Sequence, residues 1–134
     1  MTEDGSAAVE LVLITPVLLL LMMFALVAGR FALARNQVIE AARDAAREAS
    51  TWPTARAATG AGVQRGLDSL HAGKVSCQGP QVVIDASRLH PGGEVVADVR
   101  CTVALDDVLG MRIVGARTFS ARAVAVVDTF RSGG

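Results

Sequence analysis

Nineteen consecutive residues between Glu10 and Arg30 carry no charge, and Leu, Val, Met and Ala supply most of them. That is close to the roughly 20 apolar residues an α-helix needs to cross the hydrocarbon core of a bilayer. No later stretch is comparably apolar, so the sequence predicts one transmembrane helix over residues 6–29, with everything after Arg30 on one side of it. About 100 residues then remain, enough for one small domain. Hydrophobic residues are 51% of the chain but aromatics only 4%, and Ala supplies much of the apolar content beyond Arg30. The expected core is thin and of modest stability.

Net charge is zero, yet all 13 Lys and Arg lie at or beyond Arg30 while Glu3, Asp4 and Glu10 precede the apolar run. A balanced charge with no aromatic platform among basic residues gives nucleic-acid binding no support. Helical periodicity continues past the membrane segment: Phe31, Ala34, Val38, Ala41, Ala42, Ala45 and Ala49 follow the 3-4 spacing of one narrow face. Arg35, Arg43, Arg47 and Glu48 occupy the rest, with Glu40–Arg43 and Asp44–Arg47 as opposite charges three apart. The expectation is one rod from Ser6, a candidate N-cap, to Ser50, spanning about 65 Å at the α-helical rise. Pro16 removes one of its hydrogen bonds, and the Thr15 hydroxyl is placed to relieve the freed carbonyl.

Thr51-Trp52-Pro53-Thr54 ends that rod, since a helix does not continue through Pro53. A second, weaker helix is expected over residues 54–70, anchored by Ala58, Val63, Leu67 and Leu70. Gly62 and Gly66, four apart, would let it approach the first helix closely. The period then shifts to two. A first strand is expected over Val75–Cys77 and Gln81–Asp85, interrupted at Gly79-Pro80, followed by a turn at His90–Gly93. Glu94 to Leu105 alternates, with Val95, Ala97, Val99, Cys101, Val103 and Leu105 on one face. Arg117 to Thr129 alternates again with Phe119, Ala121, Ala123, Ala125 and Val127, and a connection spans residues 106–115. The fold class is therefore α+β: a long N-terminal helix, a second short helix, and a three-stranded antiparallel sheet whose apolar face packs on the first helix. Residues 131–134 are expected to be a disordered tail.

Glu10 is the most informative single residue, because a carboxylate inside a bilayer costs about 2.5 to 3.5 kcal/mol on insertion scales. Cleavage after Gly5 would give Ser6 a free ammonium one helical turn from Glu10, in the same subunit or its neighbour. Otherwise Glu10 sits at the headgroup boundary. Gly5 followed by Ser6-Ala7-Ala8-Val9-Glu10 and a long apolar helix resembles the processing site of type IV-like prepilins, and G-S-A-A-V-E-L-V-L-I-T-P-V-L is similar to TadE-like pseudopilins of the tight-adherence pilus. The resemblance implies a leader over residues 1–5 cut by a prepilin peptidase between Gly5 and Ser6, an assembly role for Glu10, and a pilin-like extracytoplasmic domain over residues 30–130. It implies a minor subunit acting in pilus assembly, adhesion or export, with other pilin subunits, the assembly platform and the lipid bilayer as partners, rather than an enzyme. Leaders of that family usually carry Arg or Lys before the Gly, and Met1–Asp4 has none. The positive-inside rule alone, applied to Arg30, Arg35, Arg43 and Arg47, would place the C-terminal part in the cytoplasm.

Ala32-Leu33-Ala34 is an alternative signal-peptidase site, disfavoured by an apolar run longer than a signal core. Cys77 and Cys101 are the only cysteines, an even count in an extracytoplasmic domain, which favours a disulfide. A metal site with His71 and His90 is the lesser reading, since no element carries paired ligands. No cofactor is expected. No nucleophile elbow, phosphate-cradling loop or catalytic Asp/Glu/His cluster is present, and Asp106-Asp107 reads as a solvated turn. A single-pass membrane protein with a small binding domain and no processing is the second reading.

Overall fold

The computed structural model describes residues 3–106, 110, 112 and 114–130. Two helices, α1 (Glu3–Thr51) and α2 (Ala55–Ala72), precede three strands, β1 (Gln78–Arg88), β2 (Glu94–Ala104) and β3 (Ala116–Val126). The fold is α+β, as the change of period from 3.6 to 2 predicts. The chain divides into two compact units, Met1–Ala32 and Leu33–Gly134. The expected tail at residues 131–134 and the Asp107 half of the Asp-Asp turn lie outside the described residues.

Among the described residues the first unit is helix alone. Helical backbone begins at Glu3, so Gly5 and Ser6 are already inside α1 and Ser6 does not cap it. Once a helix is nucleated, each added residue contributes a hydrogen bond, so a short polar prefix joins at little cost. Pro16 sits within the helix. The Thr15 hydroxyl donates to the Leu11 carbonyl at 2.6 Å, one position short of the Val12 carbonyl that Pro16 leaves without its amide. An i→i−4 hydroxyl bond returns to the carbonyl its own residue already uses.

In the second unit α1 buries Ala34, Val38, Ala41, Ala42, Ala45, Ala46 and Ala49. Ala46 widens the expected stripe, and Phe31, in the first unit, is only half-buried. Thr54 caps α2, its side chain accepting from the Ala57 amide. The residues α2 buries are Ala58, Gly62, Gly66 and Leu70, while Val63 and Leu67 are half-buried. A Cβ on Gly62 would stand 3.0 Å from Ala49 and from Ile84, and one on Gly66 would stand 3.0 Å from Val82 and 3.2 Å from Ala45. Absent side chains thus let α2 lie against both α1 and β1. The sheet is consequently covered by two helices, where the sequence suggested one. Asp44 departs from its expected partner Arg47 and accepts a hydrogen bond from Ser69 of α2 at 3.0 Å. Glu40 and Arg43 do pair, at 3.1 Å.

The strands form an antiparallel meander in the order β1-β2-β3. In β2, Val95, Ala97, Val99, Cys101 and Val103 are buried, the face that alternation assigned to the core. Leu105 falls beyond the strand, its amide donating to the Gly115 carbonyl at 2.9 Å. The first strand is one element including Gly79 and Pro80, with pairing irregularities between Gln78 and Gln81 and between Asp85 and Arg88. Gly79 takes a φ of 58°, which a glycine adopts freely, and this lets the strand pass through the expected break. Val75–Cys77 lies outside the strand. Ala45, Ala46, Ala49, Ala58, Ile84, Val95, Ala97 and Val127 form one apolar cluster joining helices and sheet.

Candidate processing and assembly site

Gly5, Ser6 and Glu10 share α1 and are exposed. Ser6 and Glu10 are four apart, on one face and within side-chain reach across a single turn. Among the described residues nothing lies within 4 Å of a Cβ placed on Gly5. The face around this segment is apolar and bare: Leu11, Val12, Leu13, Leu20 and Phe24 are each exposed by about two thirds or more. α1 is the one helix among the described residues long and apolar enough to cross a membrane. A surface of that composition is unfavourable in water, whereas a bilayer satisfies it with every backbone bond already made inside the helix.

Cys77 and Cys101 are joined in a disulfide with a Cα–Cα separation of 5.2 Å, tying the residue just before β1 to the buried face of β2. Closing a loop of 24 residues adds about 3 to 4 kcal/mol by the chain-entropy account. Nearby, Gln37 of α1 does what sequence reading missed. Its amide donates to the Leu70 carbonyl at 2.8 Å and the Val75 carbonyl at 2.9 Å, and its oxygen accepts from the Val75 amide at 3.1 Å. The side chain thereby caps the end of α2 and fixes the path into β1. Its partners are 33 and 38 residues away, so only a polar residue amid an apolar stripe hinted at it.

The outer face of the sheet carries charge in matched rows. Arg122 holds Asp98 through two bonds, Nε to Oδ1 at 2.9 Å and Nη2 to Oδ2 at 3.1 Å, and Arg88 pairs with Glu94. The hydrogen bond and charge of Asp98 raise the Arg122 pKa. Hydrogen bonds from Ser87, side chain then backbone, hold the Asp85 carboxyl below its usual value, with the Arg88 charge a lesser cause. A shallow cavity of about 300 Å³ lies between Gln81, Val83, Asp98, Arg100 and Arg122. Among the described residues no three His, Cys, Asp or Glu side chains converge as metal ligands do.

Residues 5–47 match the family model described as TadE-like protein, about a third of the chain. Neither the curated proteins nor the solved structures contain a match. The match begins at Gly5 and ends within α1, so it includes Ser6, Glu10, Pro16 and most of the buried alanine stripe, and it leaves α2 and the sheet outside. Residues 5–47, most of the N-terminal helix, are similar to TadE-like protein.

Proposed function

We propose that this chain is a minor pilin, or pseudopilin, of a tight-adherence pilus, held in the membrane by α1 and carrying an extracytoplasmic head. Its role is structural, in assembly, adhesion or export, and no step of it is catalytic. One observation carries this reading: the TadE-like match starts at Gly5 and continues into a helix of membrane-spanning length with a carboxylate at Glu10. A prepilin peptidase would cut between Gly5 and Ser6. The new ammonium at Ser6 then neutralises Glu10, in the same chain or a neighbour, which offsets the cost of an acidic group at the bilayer and sets the axial register between subunits. Other pilin subunits and the membrane assembly platform are the partners this implies.

Intact mass and N-terminal sequencing of the membrane-extracted protein test the reading. A mature start at Ser6 is expected; an intact initiator methionine would sink it. Because open space surrounds Gly5, a Gly5→Val chain keeps its fold, so lost cleavage reports peptidase recognition. Glu10→Ala is expected to be cleaved normally and to assemble poorly. One observation favours the second reading, an unprocessed membrane-anchored protein with a small extracytoplasmic binding domain. The backbone is helical across the Gly5–Ser6 bond, whereas proteolytic cuts concentrate at exposed loop tips and termini. The same mass measurement decides between the two.

A further inference from the structure

The two edges of the sheet are built differently. Along β1, Pro80 offers no N–H and the pairing is irregular at both ends, leaving Gln81–Asp85 as the regular stretch. Along β3, all eleven residues from Ala116 to Val126 pair with β2 without a break, and none is Gly or Pro. Among the described residues no strand lies on the outer side of β3. A long, regular, unprotected edge is a template for a further strand.

Helix α2 also lies toward the other side. α2 packs over β1, and the alanines of α1 share one apolar cluster with Val95 and Ala97 of β2, with Ala123 and Ala125 of β3 at its margin. As a result the inward row of β3, Phe119, Ala121, Ala123 and Ala125, is only half-buried, while its neighbours on β2 are fully covered. The row on its outward side ends in exposed valines, Val124 and Val126.

We infer that a second copy of this chain docks its β1 edge along β3, extending the sheet head to tail. The strands would run parallel, since each is antiparallel to β2. With Ser120 beside the neighbour's Val83, Arg122 stands beside its exposed Asp85, Phe119 beside Val82 and Ala121 beside Ile84. The outward row then gains an opposite-charge contact and the inward row continues as apolar surface. Arg122 spends two N–H groups on Asp98 and keeps others for a second carboxylate. The neighbour's α2, seated over its own β1, covers the half-bare row of β3. Such a contact is heterologous and does not close on itself, so it repeats with every copy in one orientation. Chains inserted into one bilayer by the same end meet that condition. The contact uses the head alone and does not depend on leader removal.

The test uses full-length chains in one membrane. Copies bearing V83C and separately tagged copies bearing S120C are co-expressed and treated with a short bismaleimide, the Cys77–Cys101 disulfide being checked by mass. Both sites are exposed and tolerate the change. Adjacent strands lie about 4.8 Å apart, so a V83C–S120C product is expected, with a two- to five-fold lower yield when D85R is added to the V83C copy, the range of an exposed ion pair. An S120C–S120C product without the mixed one would mean a two-fold β3 contact and overturn the inference. No product of either kind would overturn it as well. A chain that keeps its leader yet gives the mixed product supports it all the same, so failure here and failure of the processing reading are separate results.

Discussion

α1 is one helix made of two kinds of apolar residue. Up to about Leu26 it presents Leu, Val, Met and Phe, with Leu11 69% and Phe24 73% exposed; beyond Leu33 it presents Ala, with Ala41, Ala42 and Ala45 at 0%. The difference teaches what each half is for. Large side chains with no protein over them suit a fluid apolar medium, which takes up any shape. Small side chains suit a fixed neighbour, because only they let a helix approach a sheet and a glycine face closely enough to exclude water. Hydrophobicity alone does not separate the halves; side-chain size does.

The strongest way to break this contrast is to loosen the packed half only. Replacing Cys77 and Cys101 by Ser is expected to cost the head about 3 to 4 kcal/mol in a denaturant titration while leaving membrane extraction of the chain unchanged. A charge in the bare half should do the reverse. Leu18→Arg is expected to weaken insertion by about 2.5 to 3.5 kcal/mol, seen as loss of the chain from the membrane fraction, with the head's unfolding midpoint unmoved. A smaller effect sharpens the argument about size: Gly62→Leu forces atoms into the 3.0 Å contacts with Ala49 and Ile84 and should destabilise the head by about 1 to 3 kcal/mol. If Gly62→Leu is neutral by thermal unfolding, close approach is not what the small residues provide.

The smallest expected effect is on pH. Asp85 titrates below its ordinary 3.8 in the folded head. Its contribution to stability is therefore complete above that value and is lost as pH falls through the lowered one. The loss due to Asp85 should set in below pH 3.8, and Asp85→Asn should lower stability slightly and evenly from pH 5 to 7 while flattening the curve below pH 3.8.

Much of the fold was legible because its periods are long and clean. The alternation of Val95, Ala97, Val99, Cys101 and Val103 admits one core face, since a one-residue slip would turn every one of them outward. The misreadings arose where a distant group decides a local outcome. Asp44 is opposite in charge to Arg47 yet bonds Ser69, because an exposed pair three apart is worth a few tenths of a kcal/mol and yields readily to a fixed partner. Gly79-Pro80 looked like a break because the tolerance of a bulge depends on the strand beside it. At the candidate site, Gly5, Ser6 and Glu10 stand out in the sequence because they lie within six residues of one helix. Gln37 and the Asp98–Arg122 row do not, because each needs an element far along the chain.

The sequence by itself determined where the chain is apolar enough for a bilayer, where its period changes, and that Gly5 and Glu10 stand at the start of a stretch similar to TadE-like protein. Those are properties of neighbouring residues, set by side-chain chemistry at fixed spacing. Only the tertiary structure decided that α2 joins α1 as cover, that α2 lies over β1, and that among the described residues no strand pairs with the outer edge of β3. Those depend on how closely two surfaces approach, and that distance is fixed by the residues on both of them together.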